Sequence, residues 1–592
     1  MTILVGEVIA VHGIKIILKI FDESSKDTIF YKGNKFKGVS IREHLIIQRG
    51  FINIACIVEG EFLDESRFEA ESNKITYIRK VEVKPIGYFK KDIFTEGIKF
   101  LPMIKDPVFL ISEEEISKIY HNDMANHDLV IGKMLKENIP VYLQWEKLFN
   151  THIGIFGNTG SGKSNTLAKL YTTLFNSKLN EIKNKSQFIL IDFNGEYTND
   201  QLVQEKDKTV YHLNTRGTGR EKNKFPISPE NLLDSEVLGL LFKATSNTQK
   251  PFLDRLVNSW KKYYDEDTNS NLLAYIKYTF KKSFSASSQK KEVKDLLLTA
   301  MVNINNKDME EFLNKISWHS TQEHFITDSN QHFNGSEESY KLIMKANVDK
   351  ITIENIDFFK ELIIRVHLQL TNDLTSSHFQ FEHIQPLLKR IESTVKDLEK
   401  TLSVSSKKHN THFLKIISLR KCNQDIKKII PLLLAKYYYE SHKKTVNSPP
   451  EKTLHLIIDE AHNVLSLQST REQESWKDYR LELFEEIIKE GRKFGVFLTL
   501  SSQRPADISA TIMSQIHNFF IHRLVNDKDL FLLDNTLSTL DTLSKGMIPN
   551  LAKGCCIITG TSFNLPLVVQ VDKLERQHQP DSEDVNLAEI WR

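Results

Sequence analysis

The sequence predicts an α/β fold in which a doubly wound parallel sheet follows a small β-barrel and is interrupted by a helical insertion. Short strand-like runs separated by turn residues fill residues 1–88. From about residue 95, short and wholly apolar runs alternate with helical patterns, whereas helical patterns dominate residues 225–410. Strands that are apolar throughout are buried on both faces, which is typical of a parallel sheet covered by helices.

The N-terminal region, residues 1–90, is predicted to be the barrel. Its candidate strands are rich in β-branched residues and closely spaced, as in small barrels. They span residues 3–11, 15–21, 45–48, 51–60 and 74–89.

The sheet is predicted to form from two separate stretches, residues 91–224 and 411–575, with residues 576–592 as a tail. The apolar strand candidates are residues 152–157, 187–193, 411–419, 454–459, 496–502 and 518–524. Helical candidates between them are residues 164–178, 423–441 and 480–493. Alternation of this kind is the signature of a doubly wound core.

The insertion, residues 225–410, is expected to contain helices and no strands. Ser228-Pro229 resembles a helix start, because serine caps the first turn and proline suits its first position. Apolar residues at helical spacing predict one buried face on each of two longer helices. These are Ile356, Phe359, Ile363, Val366 and Leu370 in one, and Ile384, Leu388, Ile391, Val395, Leu398 and Leu402 in the other.

Composition excludes several classes of protein. A chain of 592 residues with 40% hydrophobic and 26% charged residues is an ordinary globular protein of several domains. Its net charge of +2 means that any nucleic acid must bind a local basic surface. Four scattered cysteines do not make a disulfide framework or a zinc site. No uncharged stretch is long enough to span a membrane, and we predict a cytoplasmic protein without a membrane partner.

The strongest motif is GNTGSGKS, which matches the phosphate-binding P-loop pattern G-x-x-x-x-G-K-S/T and lies between a predicted strand and a predicted helix. Glycines let backbone N–H groups surround the β-phosphate, and the helix N-terminus adds positive potential. Lys163 is expected to reach the β- and γ-phosphates, and Ser164 to bind Mg²⁺. The predicted ATP-binding residues are Gly157, Asn158, Thr159, Gly160, Ser161, Gly162, Lys163, Ser164 and Asn165.

A second motif, LHLIIDEAHN, ends a predicted strand with two acids. The strand would deliver Asp459 to the sheet edge where phosphates bind, as a ligand of Mg²⁺. Glu460 is predicted to polarise the water that attacks the γ-phosphate. This motif and the P-loop predict a RecA-like P-loop ATPase core.

Two other strand ends carry polar residues. Gln503 is predicted to sense the γ-phosphate, or else to be part of a simple turn before Pro505. Asp192 and Glu196 follow a further strand, where they either line the nucleotide pocket or flank an Asn-Gly turn.

A catalytic arginine supplied by a neighbouring subunit would stabilise charge on the γ-phosphate. Arg492 is the leading candidate, and Arg504 and Arg523 are alternatives. Arg492 also stands at a helix end, where it would complement the helix dipole whether or not it is catalytic.

The motifs together resemble those of the HerA branch of the HerA/FtsK ATPases. The resemblance is carried by GNTGSGKSN, IDFNGEY, IIDEAHN, EGRKFG, LSSQRPADIS and FFIHRLVNDKDL, in that order, over roughly residues 1–220 and 411–575. The N-terminal barrel is similar to the one these proteins share with F-type ATP synthase subunits. The insertion departs from the pattern.

The resemblance implies a homohexameric ring that hydrolyses ATP between subunits and passes double-stranded DNA through its centre, usually with a partner nuclease. It supports roles for Lys163, Ser164, Asp459 and Glu460 at the nucleotide and metal, and for Arg492 in trans. Some members of the family act instead beside an antiviral defence effector, such as a nuclease or a sirtuin-like NAD-hydrolase. Two hypotheses follow: a DNA translocase or helicase, and an ATP-regulated platform that activates an effector.

Overall fold

The computed structural model describes residues 3–21, 28–31, 34–67, 75–120, 129–217, 223–262, 268–354, 356–378, 380–405, 412–467, 474–537, 540–582 and 587–591. Its α/β architecture confirms the predicted fold class, with a closed barrel before an eleven-stranded sheet. Within the described residues, no helix combines the length and apolar character that crossing a bilayer would require.

The barrel is built from antiparallel strands whose buried faces share one core of Val, Ile and Leu side chains. Six strands close in the order β2-β1-β9-β5-β6-β7, since β7 pairs back onto β2, and β8 adds to β7. The strands of this sheet are β1 (Leu4–His12), β2 (Lys15–Ile20), β5 (His44–Arg49), β6 (Ile52–Arg67), β7 (Ile75–Lys90), β8 (Ile93–Glu96) and β9 (Pro107–Leu110). Between β2 and β5, β3 (Thr28–Tyr31) and β4 (Asn34–Lys37) pair with each other in a separate two-stranded sheet.

The barrel extends past the predicted boundary at residue 90, because β8 and β9 pair within its sheet. These strands have four residues each, too short for a periodic pattern to be visible in the sequence. The remaining domain boundaries stay predictions.

The first part of the core supplies five strands and three helices. They are α1 (Glu113–Tyr120), β10 (Val130–Met134), β11 (Pro140–Tyr142), α2 (Trp145–Leu148), β12 (Ile153–Phe156), α3 (Lys163–Ile182), β13 (Ser186–Asp192) and β14 (Lys208–Asn214).

The insertion contains ten helices among its described residues, and also four short strands that the sequence did not predict. Its elements are β15 (Phe225–Ile227), α4 (Pro229–Leu232), α5 (Ser235–Leu241), α6 (Gln249–Lys262), α7 (Thr268–Phe284), α8 (Glu292–Ile304), α9 (Lys307–Asn314), β16 (Ile316–His319), β17 (His324–Thr327), α10 (Glu337–Ile343), α11 (Lys345–Val348), α12 (Phe358–Thr375), α13 (Phe381–Thr401) and β18 (Leu402–Val404). β15 pairs with β18, so the two ends of the insertion meet.

The two predicted insertion helices differ in their burial. α13 buries one stripe, including Ile384, Ile391 and Leu398, as its spacing predicts. The predicted apolar face of α12 is likewise buried or packed against the core, but burial also extends around the helix from Ile364 to Leu374, polar residues included. α12 packs against α6, α7, α8 and α13, so neighbours surround it.

The second part of the core completes the sheet. Its elements are β19 (Leu414–Lys421), α14 (Gln424–Thr445), β20 (Thr453–Ile458), α15 (His462–Leu465), α16 (Glu474–Glu490), β21 (Val496–Ser502), α17 (Ala510–Ser514), β22 (Asn518–Ile521), α18 (Asp527–Thr536), α19 (Thr542–Met547), β23 (Cys555–Gly560), β24 (Leu567–Val571) and α20 (Leu587–Ile590). All six predicted core strands are confirmed, with ends shifted by up to three residues.

The large sheet has the order β11-β10-β24-β23-β22-β12-β21-β20-β13-β19-β14. Strands from β14 to β22 in this order run parallel, and the remaining four pair antiparallel. Alternate residues of β13 point to opposite faces: Phe188 and Leu190 join the core around α3, whereas Ile189 and Ile191 join the core shared with the insertion. The insertion is therefore packed onto the sheet as one of its covering layers.

Candidate functional site

The P-loop follows β12 and lies between the ends of β21 and β22. The Gly157 N–H donates to the Ser502 carbonyl oxygen at 3.2 Å, and the Asn158 N–H donates to the Arg523 carbonyl oxygen at 2.9 Å. α3 begins at Lys163 directly after the loop. The strand order thus places the loop at the carboxyl edge of the parallel sheet, where a helix N-terminus favours phosphate.

Two P-loop glycines have backbone conformations that other residues rarely adopt. Gly160 has φ +75° and Gly162 has φ +110°. A Cβ on Gly162 would also lie 2.9 Å from the Gly554 Cα, which is backbone and cannot turn aside. The loop shape predicted from the motif therefore requires glycine at position 162 on two grounds.

Lys163 and Glu460 face each other across the site. The Lys163 Nζ lies 3.0 Å from the Glu460 Oε1, and both side chains are largely buried. Burial alone would lower the pKa of Lys163, but the carboxylates of Asp459 and Glu460 outweigh it and raise the pKa. Lys163 therefore stays charged, as phosphate binding requires.

Asp459 follows β20 and is fully buried. Neither of its carboxylate oxygens accepts a hydrogen bond of normal geometry from the described residues. Burial raises the pKa of Asp459, and the Glu460 carboxylate raises it further. An oxygen pair buried in this way fits a divalent cation, which prefers carboxylate oxygens.

Ser164 and Glu196 lie beside Asp459. The Ser164 hydroxyl is next to the Glu196 carboxylate, and burial and Asp459 together raise the pKa of Glu196. The Glu196 Oε2 is buried and without a hydrogen-bond partner among the described residues. No group of three His, Cys, Asp or Glu residues in the described parts of the chain forms a complete metal site. In nucleotide-binding proteins Mg²⁺ is usually held by one or two carboxylates together with phosphate oxygens of the nucleotide.

Asp192 has a different environment from Glu196. Its Oδ1 accepts hydrogen bonds from the Gly195 and Glu196 N–H groups at 2.7 and 3.1 Å, and its Oδ2 accepts one from the Tyr197 N–H at 3.0 Å. Burial, with Asp459 nearby, raises its pKa to about 7. Asp192 therefore stabilises the turn. A nucleotide contact remains a prediction for both Asp192 and Glu196.

Gln503 meets the P-loop. The Thr159 hydroxyl donates to the Gln503 Oε1 at 2.6 Å, so the end of β21 and the loop are joined directly. β21 lies between the strands that carry the P-loop and Asp459. This position suits the predicted sensor of the γ-phosphate, which stays a prediction.

Asn165, included among the predicted ATP contacts, binds the chain itself. Its Nδ2 donates to the Asp572 carbonyl oxygen at 3.2 Å, and its Oδ1 accepts from the Leu574 N–H at 3.5 Å. The amide therefore fastens the segment after β24 to α3. A P-loop pattern cannot reveal such a contact, because its partner is more than 400 residues away.

Glu460 adopts a left-handed backbone conformation, with φ +48°. Such strain in a non-glycine residue is typical of functional sites. His462, which the sequence analysis missed, has its Nδ1 3.3 Å from the Glu460 Oε2. Burial and the charge of Arg504 lower the pKa of His462 to about 4, so the ring is neutral near pH 7. Its spacing of two residues from Glu460 is the only sequence signal for it.

The three candidate arginines lie at opposite edges of the sheet. Arg492 is exposed in a short 3-10 turn before β21 begins, at the amino edge. Arg504 and Arg523 follow β21 and β22, at the carboxyl edge with the P-loop. The Arg504 guanidinium lies 4.0 Å from the Asp507 carboxylate, and the Arg523 Nε donates to the Pro549 carbonyl oxygen at 3.0 Å. Arg492 therefore cannot reach the site of its own chain.

Comparison with known proteins gives one consistent family. A family model described as the central domain of helicase HerA matches residues 129–371. This match runs into the insertion, so the expectation that the resemblance stops near residue 220 is wrong. Residues 225–410 contain none of the motifs on which the resemblance was based, so the sequence alone did not reveal the relationship there.

Two curated relatives are similar over most of their length. The DNA double-strand break repair helicase HerA of Sulfolobus acidocaldarius is 25% identical over 532 residues, which cover 88% of this chain and 83% of the relative. A probable DNA double-strand break repair helicase HerA of Methanocaldococcus jannaschii is 25% identical over 522 residues, covering 86% and 88%.

Among solved structures, VirB4 of Thermoanaerobacter pseudethanolicus matches with a TM-score of 0.41 and 12% identity, over 77% of this chain and 99% of that one. The plasmid coupling protein TrwB in complex with ADP and Mg²⁺ matches with a TM-score of 0.40 and 12% identity, over 80% and 94%. The sequence matches and the P-loop site together show that the chain is a P-loop ATPase whose sequence is similar to those of the HerA helicases.

Proposed function

We propose that the chain forms a homohexameric ring that hydrolyses ATP with Mg²⁺ and uses the energy to move along or unwind double-stranded DNA, together with a partner nuclease or other effector. The observation that carries the proposal is that Arg492 lies at the amino edge of the sheet and the P-loop at the carboxyl edge, so the length of the strands separates them. A head-to-tail ring brings the amino edge of one subunit to the carboxyl edge of the next, which completes every site by the same contact.

The chemistry follows from the residues at the carboxyl edge. Lys163 and the P-loop N–H groups bind the β- and γ-phosphates, and Glu460 holds the attacking water. Mg²⁺ bound by Ser164 and Asp459 would neutralise charge on the phosphates. His462 is placed to fix the orientation of the Glu460 carboxylate through its 3.3 Å contact. Gln503 links the state of the P-loop to β21.

DNA is proposed as the substrate because the curated relatives are described as DNA repair helicases. Because the net charge of the chain is close to zero, DNA would be bound by local basic residues within the ring and not attracted by the charge of the whole molecule. The segment after Glu460 offers two basic residues for contact with DNA: Lys477 lies on α16, and Arg471 is outside the described residues. A cytoplasmic location is part of the proposal.

A protein partner is supported by one end of the barrel. The turns β1–β2, β5–β6 and β7–β8 and the loop before β9 come together there, as the antiparallel pairings require. They expose large apolar side chains: Ile14, Phe51, Ile93, Met103 and Ile104, with Phe51 wholly exposed. Apolar surface of this kind marks protein interfaces. It favours a ring that carries an effector, as the platform hypothesis also requires.

Mixed rings test the central proposal. Arg492→Ala and Glu460→Gln subunits should each be inactive, because each lacks one half of the composite site. After mixing, some interfaces combine an intact Glu460 with an intact Arg492, and ATP turnover should partly return. Native mass spectrometry first shows that the hexamers are mixed. Phosphate release by these mixtures is then measured. If ATP turnover does not return in mixed hexamers, or if a monomer is fully active, the hypothesis of a site shared between subunits is wrong.

The motor and platform hypotheses differ in their response to DNA. A motor should hydrolyse ATP several-fold faster when double-stranded DNA is added. A platform should bind its effector, and its rate of ATP hydrolysis should not change with DNA. The Phe51→Ser variant separates effector binding from the response to DNA. It should lose the effector surface, whereas DNA should still stimulate its ATP hydrolysis.

A further inference from the structure

A basic cavity of about 410 Å³ opens at the amino edge of the sheet, where β13, β19 and β20 begin. This is the edge opposite the P-loop. Its basic lining residues are Lys183, Lys185, His412, Lys415, His442 and Lys452. No Asp or Glu is among the described residues that line it. The cavity therefore concentrates positive charge without an internal counter-ion.

Lys415 is the unusual member of this set. It lies on β19 between Leu414 and Ile416 and is only 9% exposed. Its Nζ donates to the Tyr438 hydroxyl at 3.3 Å and lies 5.1 Å from the centre of that ring. No carboxylate forms an ion pair with it among the described residues, and burial lowers its pKa to about 8. Buried lysines are rare unless they are paired.

Helix ends explain part of the basic lining, but not this lysine. α3 ends at Ile182 and α14 at Thr445, and cations near helix C-termini complement the helix dipole. That accounts for Lys183. Burial lowers the pKa of His442, so this ring is mainly neutral near pH 7, and its Nε2 lies 2.9 Å from the Phe494 carbonyl oxygen. Lys415 is the second residue of β19, paired with Ile189 of β13 and Thr209 of β14 on either side. A packing role would be served better by an apolar side chain, as at its neighbours.

We propose that this cavity binds a phosphate group of a ligand other than the nucleotide at the P-loop. Lys415 would contact the phosphate inside, and the exposed lysines 185 and 452 would hold its remaining charge at the rim. A terminal phosphate can reach a buried ammonium, whereas the backbone of a rigid duplex can touch only the rim. The geometry thus favours a small phosphorylated ligand or a phosphorylated strand end over duplex backbone.

Site-resolved acylation tests the proposal on the wild-type chain. Lysines are acetylated with an N-hydroxysuccinimide ester at pH 8, and the extent at each lysine is measured by mass spectrometry. Pyrophosphate should slow the acetylation of Lys415 and Lys185 several-fold relative to sodium chloride of equal ionic strength. Lys163 reports the P-loop in the same experiment, and Lys443, paired with Glu486 on the other side of α14, is the internal control.

A second arm replaces pyrophosphate with a blunt, unphosphorylated DNA duplex. Protection of Lys415 by pyrophosphate alone supports a small phosphorylated ligand or a phosphorylated strand end. Equal protection of Lys415 by the duplex would overturn the preference for these ligands over duplex backbone. If neither slows the acetylation of Lys415 beyond the salt control, the cavity is not a phosphate site and the proposal fails. Failure of the ATPase proposal would appear separately, at Lys163.

Two variants complete the test. Lys415→Met should weaken the protection of Lys185 by pyrophosphate about tenfold, because a charge-assisted hydrogen bond is lost. Lys185→Glu with Lys452→Glu changes only exposed side chains, so it folds whether or not Lys415→Met does, and it should remove the protection of Lys415. Lys443→Met is the matched control on α14. Undiminished protection in both test variants would overturn the assignment.

Discussion

Buried charges are handled differently in the insertion and at the nucleotide site. In α12, Arg365 and Asp373 are 1% and 2% exposed, and Asp459 after β20 is 0% exposed. The Arg365 Nε donates to the Glu361 carboxylate at 2.7 Å, and its guanidinium lies 4.8 Å from the centre of the Trp260 ring. Asp373 accepts from Arg255 and Gln369. Asp459 accepts no side-chain hydrogen bond of normal geometry from the described residues, and the groups that favour its charged form are Lys163, the Ser501 hydroxyl and the Glu460 N–H nearby.

The comparison separates two uses of a buried charge. A paired charge fixes how helices pack, because breaking the pair leaves an uncompensated ion in the interior. An unpaired carboxylate adds nothing to packing and lowers stability, so its position is explained by chemistry. The left-handed backbone of Glu460 is a second feature that packing does not explain. The turn after β20 does not by itself require this conformation, so we attribute it to the chemistry of the site as well.

Removing charge from the nucleotide site should have the largest effect. Lys163→Ala should weaken ATP binding by more than about 100-fold and abolish hydrolysis, because the buried ammonium is the main contact to the phosphates. Titration with a fluorescent nucleotide and a phosphate-release assay measure the two effects. Lys169→Ala, on the same helix and paired with Asp572, is the control. Near-normal binding by the Lys163 variant would remove the P-loop from the mechanism.

Glu460→Gln should separate binding from chemistry. ATP affinity should change little, whereas turnover should fall by about 10³-fold because the amide cannot polarise water. The same two assays apply, and Glu485→Gln on α16 serves as the control. A variant that keeps a tenth or more of its turnover would show that another group holds the water, with Asp459 the next candidate.

Breaking a paired charge in the insertion should affect stability and spare the site. Arg365→Met should lower the free energy of unfolding by about 3 kcal/mol, because Glu361 loses its partner. Adding Glu361→Leu should recover most of this loss, since no charge is then left behind. Urea denaturation measures both variants, and nucleotide titration under native conditions should show unchanged affinity. A double variant as unstable as the single one would mean that the pair is not the reason for the loss.

The smallest predicted effect concerns a buried neutral group, His455 on β20. Burial lowers its pKa from 6.5 to about 3, and its ring stacks on Phe188. Below pH 6.5 the His455 ring is protonated in the unfolded chain but stays neutral in the folded chain. The free energy of unfolding therefore decreases as pH falls from 6.5 toward 3. At pH 5 this costs about 2 kcal/mol.

His455→Phe should therefore reduce the loss of stability between pH 7 and pH 5 by about 2 kcal/mol. Urea denaturation of both proteins at the two pH values is the measurement. His12→Phe, a substitution in the barrel at a histidine whose side chain is not buried, provides the comparison. An identical pH dependence in the His455 variant and the wild type would show that this ring is not the group responsible.

Local sequence determined the order of elements and the chemistry at strand ends. The apolar strands 153–156, 453–458 and 496–502 were predictable because burial on both faces leaves a short unbroken apolar run. Lys163, Asp459 and Glu460 were predictable because the P-loop and the acidic strand end are local patterns. Only the tertiary structure decided that Asn165 and Asp192 bind their own chain and that His462 lies against Glu460. These facts depend on contacts between residues distant in sequence or on the direction of a side chain, which no local pattern specifies.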